Sequence, residues 1–83
     1  MTKDDIRRAI LEALSSVAPE GDYERLHPER PLRDQLDIDS YDFLTVIVRL
    51  HEQLAVDIPE ADYQKLGTLN ATVAYLAAKL GAT

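Results

Sequence analysis

A run of apolar residues at helical spacing, Phe43, Val46, Ile47, Leu50 and Leu54, follows directly on Asp39-Ser40 and constrains the fold more than any other feature. At about 100° per residue these side chains share one face. The segment from Ser40 to about Leu54 is therefore expected to be a helix with that face in the core. Asp39 is a good N-cap, and Asp42 three residues on completes an acidic capping box. Tyr41, Leu44 and Val48 cluster on a second face, with Thr45 and Glu52 beside them. A helix with two apolar faces is buried on both or keeps one for partners. A chain of 83 residues has few other helices to cover it, so the second face is expected to be a partner surface.

The same spacing recurs at both ends of the chain. Ile6, Ile10, Ala13 and Val17, widened by Leu14, predict a first helix from Lys3 to about Val17. Thr2 is its N-cap, Asp4 and Asp5 lie in its positive first turn, and Pro19 and Gly21 end it. Leu69, Val73, Leu76 and Leu80 predict a last helix from about Leu69 to Leu80, capped by Thr68 and stopped by Gly81. Pro59 opens a short helix reaching about Lys65, and Gly67 stops it. Across residues 18–39 no period persists, and Pro28 and Pro31 break any long helix. That loop needs apolar pins, and Leu26, Leu32, Leu36 and Ile38 are suited to the task, with one turn of helix near residues 33–36. No segment alternates at period two. The expected class is all-α, a small bundle of three main helices and one short helix forming a single domain over residues 1–83.

Charge and composition narrow the function. The net charge is −6, and residues 1–33, 34–66 and 67–83 contribute −1, −6 and +1. The middle third thus holds the imbalance, which argues against nucleic acid and favours basic protein partners. Cysteine is absent, and His27 and His51 are too few for a zinc site. Asp57, Glu60 and Asp62 are spaced like a weak cation site but lack the glycine and terminal glutamate of a calcium loop, so a solvated acidic surface is expected there. No stretch approaches the ~20 apolar residues of a membrane span. The N-terminus has no secretory apolar run. A cytoplasmic monomer without membrane insertion is the expectation.

Ser40 stands out within this frame. It opens a helix with its hydroxyl outward, among Asp37, Asp39 and Asp42. A nucleophilic serine needs a base within ~3 Å. His51 lies eleven residues along the same helix, roughly 16 Å away at the helical rise, and His27 is in the long loop, which could fold closer. Nothing resembling a strand-turn-helix elbow surrounds the serine. The chain is therefore expected not to be an enzyme, and Ser40 reads as a residue that another protein finds and modifies. A plain helical adaptor, docking partners through Tyr41, Leu44 and Val48 without modification, is the other reading.

The stretch 36–44, Leu-Asp-Ile-Asp-Ser-Tyr-Asp-Phe-Leu, followed by 51–59, His-Glu-Gln-Leu-Ala-Val-Asp-Ile-Pro, resembles the acyl carrier protein family. Length, acidity, the long first loop, Asp39-Ser40, Ile58-Pro59 and the Thr68-Leu69 helix start all take part in the resemblance. It implies a 4'-phosphopantetheine arm on Ser40, attached from coenzyme A by a phosphopantetheinyl transferase that recognises Asp39. It also implies an acyl or aminoacyl thioester on the arm's thiol, an acyl- or aminoacyl-loading ligase, and a downstream acyltransferase or synthase. Tyr41, Leu44 and Val48, with Asp42 and Glu52 beside them, fall where such carriers meet partner enzymes. The family's glycine two residues before Asp-Ser is absent, Tyr41 replaces a leucine, Thr45 replaces an acid, and Arg49 adds a positive charge. These departures point to a specialised carrier rather than a housekeeping fatty-acid one.

Overall fold

Apolar spacing and capping chemistry place the elements. In the computed structural model, which describes residues 1–82, α1 spans Lys3–Val17, α2 is the single turn Leu32–Gln35, α3 spans Ser40–Leu54 and α4 spans Leu69–Leu80. Two 3-10 segments, Tyr23–Arg25 and Glu60–Leu66, complete the helical structure. The fold is an all-α bundle, and the short helix after Pro59 is the longer of these 3-10 segments.

Thr2 Oγ1 accepts from the Asp5 amide at 3.2 Å while the Asp5 carboxylate accepts from the Thr2 amide at 2.9 Å, a reciprocal cap that starts α1. Thr68 Oγ1 accepts from the Ala71 amide at 3.1 Å and starts α4. Gly81, at φ 66°, ends it. α3 ends instead on Ala55, which adopts φ 52° and whose amide, with that of Val56, donates to the His51 carbonyl. The left-handed conformation is unfavourable for a residue with a Cβ. Ala55→Gly is therefore expected to raise stability by about 0.5–1 kcal/mol, read as a higher urea midpoint.

α1 is the central packing element, lying against both α3 and α4, while α4 also carries the Glu60–Leu66 segment. Ile6, Ile10, Leu14, Leu50, Leu66 and Leu76 are fully buried in one continuous apolar cluster. Each contributes about 1.5–3 kcal/mol through burial. Val17 and Leu80, at the helix ends, are only half-buried. Phe43 also departs from expectation. Val46, Ile47, Leu50 and Leu54 are in the core, but Phe43 is half-buried and lines an open groove.

Residues 18–39 are held by definite contacts. Leu32, Leu36 and Ile38 are buried and Leu26 is half-buried, so the apolar pins act as expected. The Gln35 side chain accepts from the His27 amide at 2.6 Å and donates to the His27 and Arg30 carbonyls at 3.0 and 3.1 Å. The Leu32 amide donates to Gly67 O at 2.8 Å, and the Asn70 amide to Pro28 O at 3.0 Å. At Gly21 a Cβ would come within 2.7 Å of Leu36 Cδ2, so a side chain there would have to push Leu36 aside.

The Glu60–Leu66 segment is fastened to α4 by polar contacts. The Tyr75 hydroxyl donates to Asp62 Oδ2 at 2.6 Å, and Lys65 Nζ lies 3.2 Å from the other carboxylate oxygen. Lys79 donates to the Asp57 carbonyl at 3.0 Å and sits 5.3 Å over the Tyr75 ring. The hydrogen bonds from Tyr75 and Lys65 hold the Asp62 carboxyl below its usual range. Burial, followed by the bond to Asp62, pushes the Tyr75 phenol up to about 12. The lowered Asp62 pKa stabilises the fold above its ordinary value of 3.8 and loses that effect as pH falls below it. The raised Tyr75 pKa stabilises below its ordinary value of 10 and fades towards pH 12. Urea midpoints measured across pH should fall at both extremes, and Tyr75→Phe should flatten both limbs.

Candidate functional site

Ser40 is the first residue of α3, exposed, and directly after the cap. Asp39 Oδ1 accepts from the Asp42 amide at 2.8 Å, and Asp42 Oδ2 accepts from the Asp39 amide at 3.3 Å. The box fixes where α3 begins, and with it the direction in which Ser40 leaves the chain. Upstream, buried Leu36 and Ile38 flank exposed Asp37, and the Ile38 amide donates to the Leu36 carbonyl at 2.9 Å. Apolar anchoring on one side and capping on the other therefore hold Ser40 in place.

The hydroxyl of Ser40 is free. Ser15 Oγ donates to Glu12 O at 2.9 Å and Ser16 Oγ to Ala13 O at 2.6 Å, both within α1. Ser40 Oγ has no hydrogen-bond partner among the described residues, which sets it apart from the chain's two other serines. His51, the base weighed for a hydrolase, is engaged at the opposite end of α3, with its Nδ1 2.6 Å from the Val56 carbonyl. Among the described residues no base is hydrogen-bonded to Ser40.

Ser40 opens onto a groove of about 600 Å³. Phe43 and Leu44 form the α3 side, and Tyr63, Gln64 and Glu60 the side of the 3-10 segment. Pro31, Arg33 and Gly67 close the end near the long loop. The volume falls within the range of about 300–1,000 Å³ usual for small-molecule sites. A free hydroxyl on a largely apolar groove suits a covalently attached, flexible group.

The outer face of α3 is distinct from the groove. Tyr41, Leu44 and Val48 are 77, 43 and 45% exposed, and they line a shallow depression with Thr45, Arg49 and Glu52. Leu44 belongs to both surfaces. Asp42 is half-buried, with one carboxylate oxygen committed to the cap. Arg33, Tyr63 and Gln64 were not singled out from the sequence as site residues; their place beside Ser40 depends on how the loop and the 3-10 segment fold back. Asp57, Glu60 and Asp62 do not act together: Asp62 is engaged by Tyr75 and Lys65, and Glu60 faces the groove. Among the described residues no group of three or more acidic, histidine or cysteine side chains is placed to hold a metal ion. No helix among them is long and apolar enough to cross a membrane.

Comparison with known proteins agrees with this geometry. The family model described as a phosphopantetheine attachment site matches residues 8–76. The acyl carrier protein of Acidothermus cellulolyticus is 32% identical over 79 residues, covering 93% of this chain and 90% of that protein. The acyl carrier protein of Chlorobium luteolum is 29% identical, over 95% of this chain and all of its own length. That of Helicobacter hepaticus is 29% identical, over 93% and 95%. A family match across most of the chain, together with relatives aligned nearly end to end, establishes that it belongs to the acyl carrier proteins, which hold cargo on covalently bound 4'-phosphopantetheine and are not themselves catalysts.

Proposed function

We propose that Ser40 bears the 4'-phosphopantetheine arm and that the outer face of α3 presents the loaded carrier to its enzymes. The supporting observation is the free, exposed Ser40 hydroxyl at the mouth of the groove, the other two serines being bonded back into α1. The arm supplies a thiol that holds an acyl or aminoacyl group as a thioester. The chain's own contribution is to fix the serine, expose its hydroxyl and offer a sheltered apolar wall. Deprotonation of Ser40 falls to the phosphopantetheinyl transferase, because among the described residues no base is hydrogen-bonded to it. Asp39 has one carboxylate oxygen outside the cap, free to meet that enzyme and its metal ion.

Tyr41, Leu44 and Val48 provide exposed apolar area for partner contact, with Glu52 and Arg49 at its edge. The partners in this reading are the transferase, a loading ligase and a downstream acyltransferase or synthase, met by a monomeric single-domain carrier in the cytoplasm. Arg49 gives the surface a mixed charge pattern, which favours a dedicated set of partners through charge matching.

Intact mass tests the attachment point. The protein and Ser40→Ala are incubated with coenzyme A, magnesium and a broad-specificity transferase. The parent should gain one phosphopantetheine and the variant none. A gain that survives in Ser40→Ala would move the attachment elsewhere, and no gain on the folded parent would refute the assignment.

A further inference from the structure

We propose that Arg33 is a positioning residue for the phosphodiester that joins the arm to Ser40; the inference rests on Ser40 being the attachment point. Charge makes the case. Asp37, Asp39 and Asp42 surround Ser40 in sequence, and Glu60 lines the same groove. A phosphodiester on Ser40 adds a further negative charge to this group. The capping box has already taken the Asp42 amide, so α3 offers the anion only part of its N-terminal donor set.

Arg33 is the cation that lines the same groove. Among the described residues it has no carboxylate within ion-pair distance, as is also true of Lys3, Arg8, Arg30, Arg49 and Lys79; what distinguishes it is its place in the lining of the groove that Ser40 also lines. Arg49 lies on the outer face of α3, nine residues beyond Ser40 and so roughly 14 Å along the helix. The backbone that carries Arg33 is anchored, while its side chain is exposed. Its neighbour Leu32 is buried and donates its amide to Gly67 O at 2.8 Å, while Gln35 ties α2 to the loop before it. A guanidinium presents a planar fork that meets two phosphate oxygens at once, which an ammonium does not. From the lining of the groove that Ser40 shares, it sets the direction in which the arm leaves the serine.

Nuclear magnetic resonance tests the contact without relying on carrier activity. The 15N-labelled protein is loaded from coenzyme A, and the arginine Nε–H signals are compared before and after loading. The 31P resonance is then compared among the loaded parent, Arg33→Gln and Arg33→Lys. The Arg33 Nε–H signal should move on loading, and the 31P signal of Arg33→Gln should differ from the parent, with Arg33→Lys between them. The difference should shrink near 1 M salt, where the screening length is about 3 Å. An Arg33 signal unmoved by loading, with identical 31P resonances in parent and Arg33→Gln, would overturn the proposal. A response that appears only once the thiol is acylated would also overturn it, showing that the guanidinium reads the cargo. Loading that fails on the parent, or persists in Ser40→Ala, is a separate outcome that removes the attachment reading and this inference with it.

Discussion

Leu76→Ala is expected to lower the free energy of unfolding by about 2–5 kcal/mol, measured by urea titration of the helical circular dichroism. Leu76 is fully buried on α4, the helix that packs against both α1 and the Glu60–Leu66 segment. Its loss leaves a cavity where those elements meet. A domain of 83 residues has a total stability of about 4–12 kcal/mol, so this one change removes a large share of it. Leu44→Ala removes the same atoms from an exposed position, and its effect should stay within about 0.5 kcal/mol. Equal losses at the two sites would contradict the division of α3 and α4 into buried and free faces.

Two substitutions at Asp39 separate its structural and electrostatic roles. Asn caps helices about as well as Asp, whereas Ala costs about 0.5–2 kcal/mol. Asp39→Asn should therefore keep the stability of the parent, and Asp39→Ala should lose about 1 kcal/mol as the bond to the Asp42 amide disappears. Loading by the transferase should fall in both, by about 10–100-fold, the range seen when a group assisting a metal site is removed. Initial rates of phosphopantetheine transfer, followed by mass, give the readout. If Asp39→Asn loads at the parental rate, the carboxylate acts only as a cap.

The sequence made the long helices legible because local chemistry and tertiary packing agree there. Thr2, Asp39 and Thr68 cap the helices they were expected to cap, and Ile6, Ile10, Leu50 and Leu76 are buried as their spacing implied. Periodicity identified the inward face of α3 but not how far its neighbours extend, which is why Phe43 packs at the edge of the core and lines a groove instead of being fully buried. The loop was harder to read for a different reason. Gln35 reaches back to His27 and Arg30, and Gly21 makes room for Leu36. Such roles belong to the returning chain, and no helical period or turn motif announces them. The same holds for Arg33 and Tyr63, which become neighbours of Ser40 only once loop and 3-10 segment have closed around it.

Leu44 is at once a wall of the groove and part of the outer face of α3. Any protein that covers that face also covers the rim behind which an arm would lie. Were an occupant of the groove to displace this leucine, occupancy of the groove and occupancy of the face would share a free energy. Such linkage is reciprocal. Cargo that displaces Leu44 would alter how well the surface fits an enzyme, and a docked enzyme would equally alter how firmly the cargo is held. If the groove shelters cargo and the face meets enzymes, this one side chain is where a full carrier would be told from an empty one.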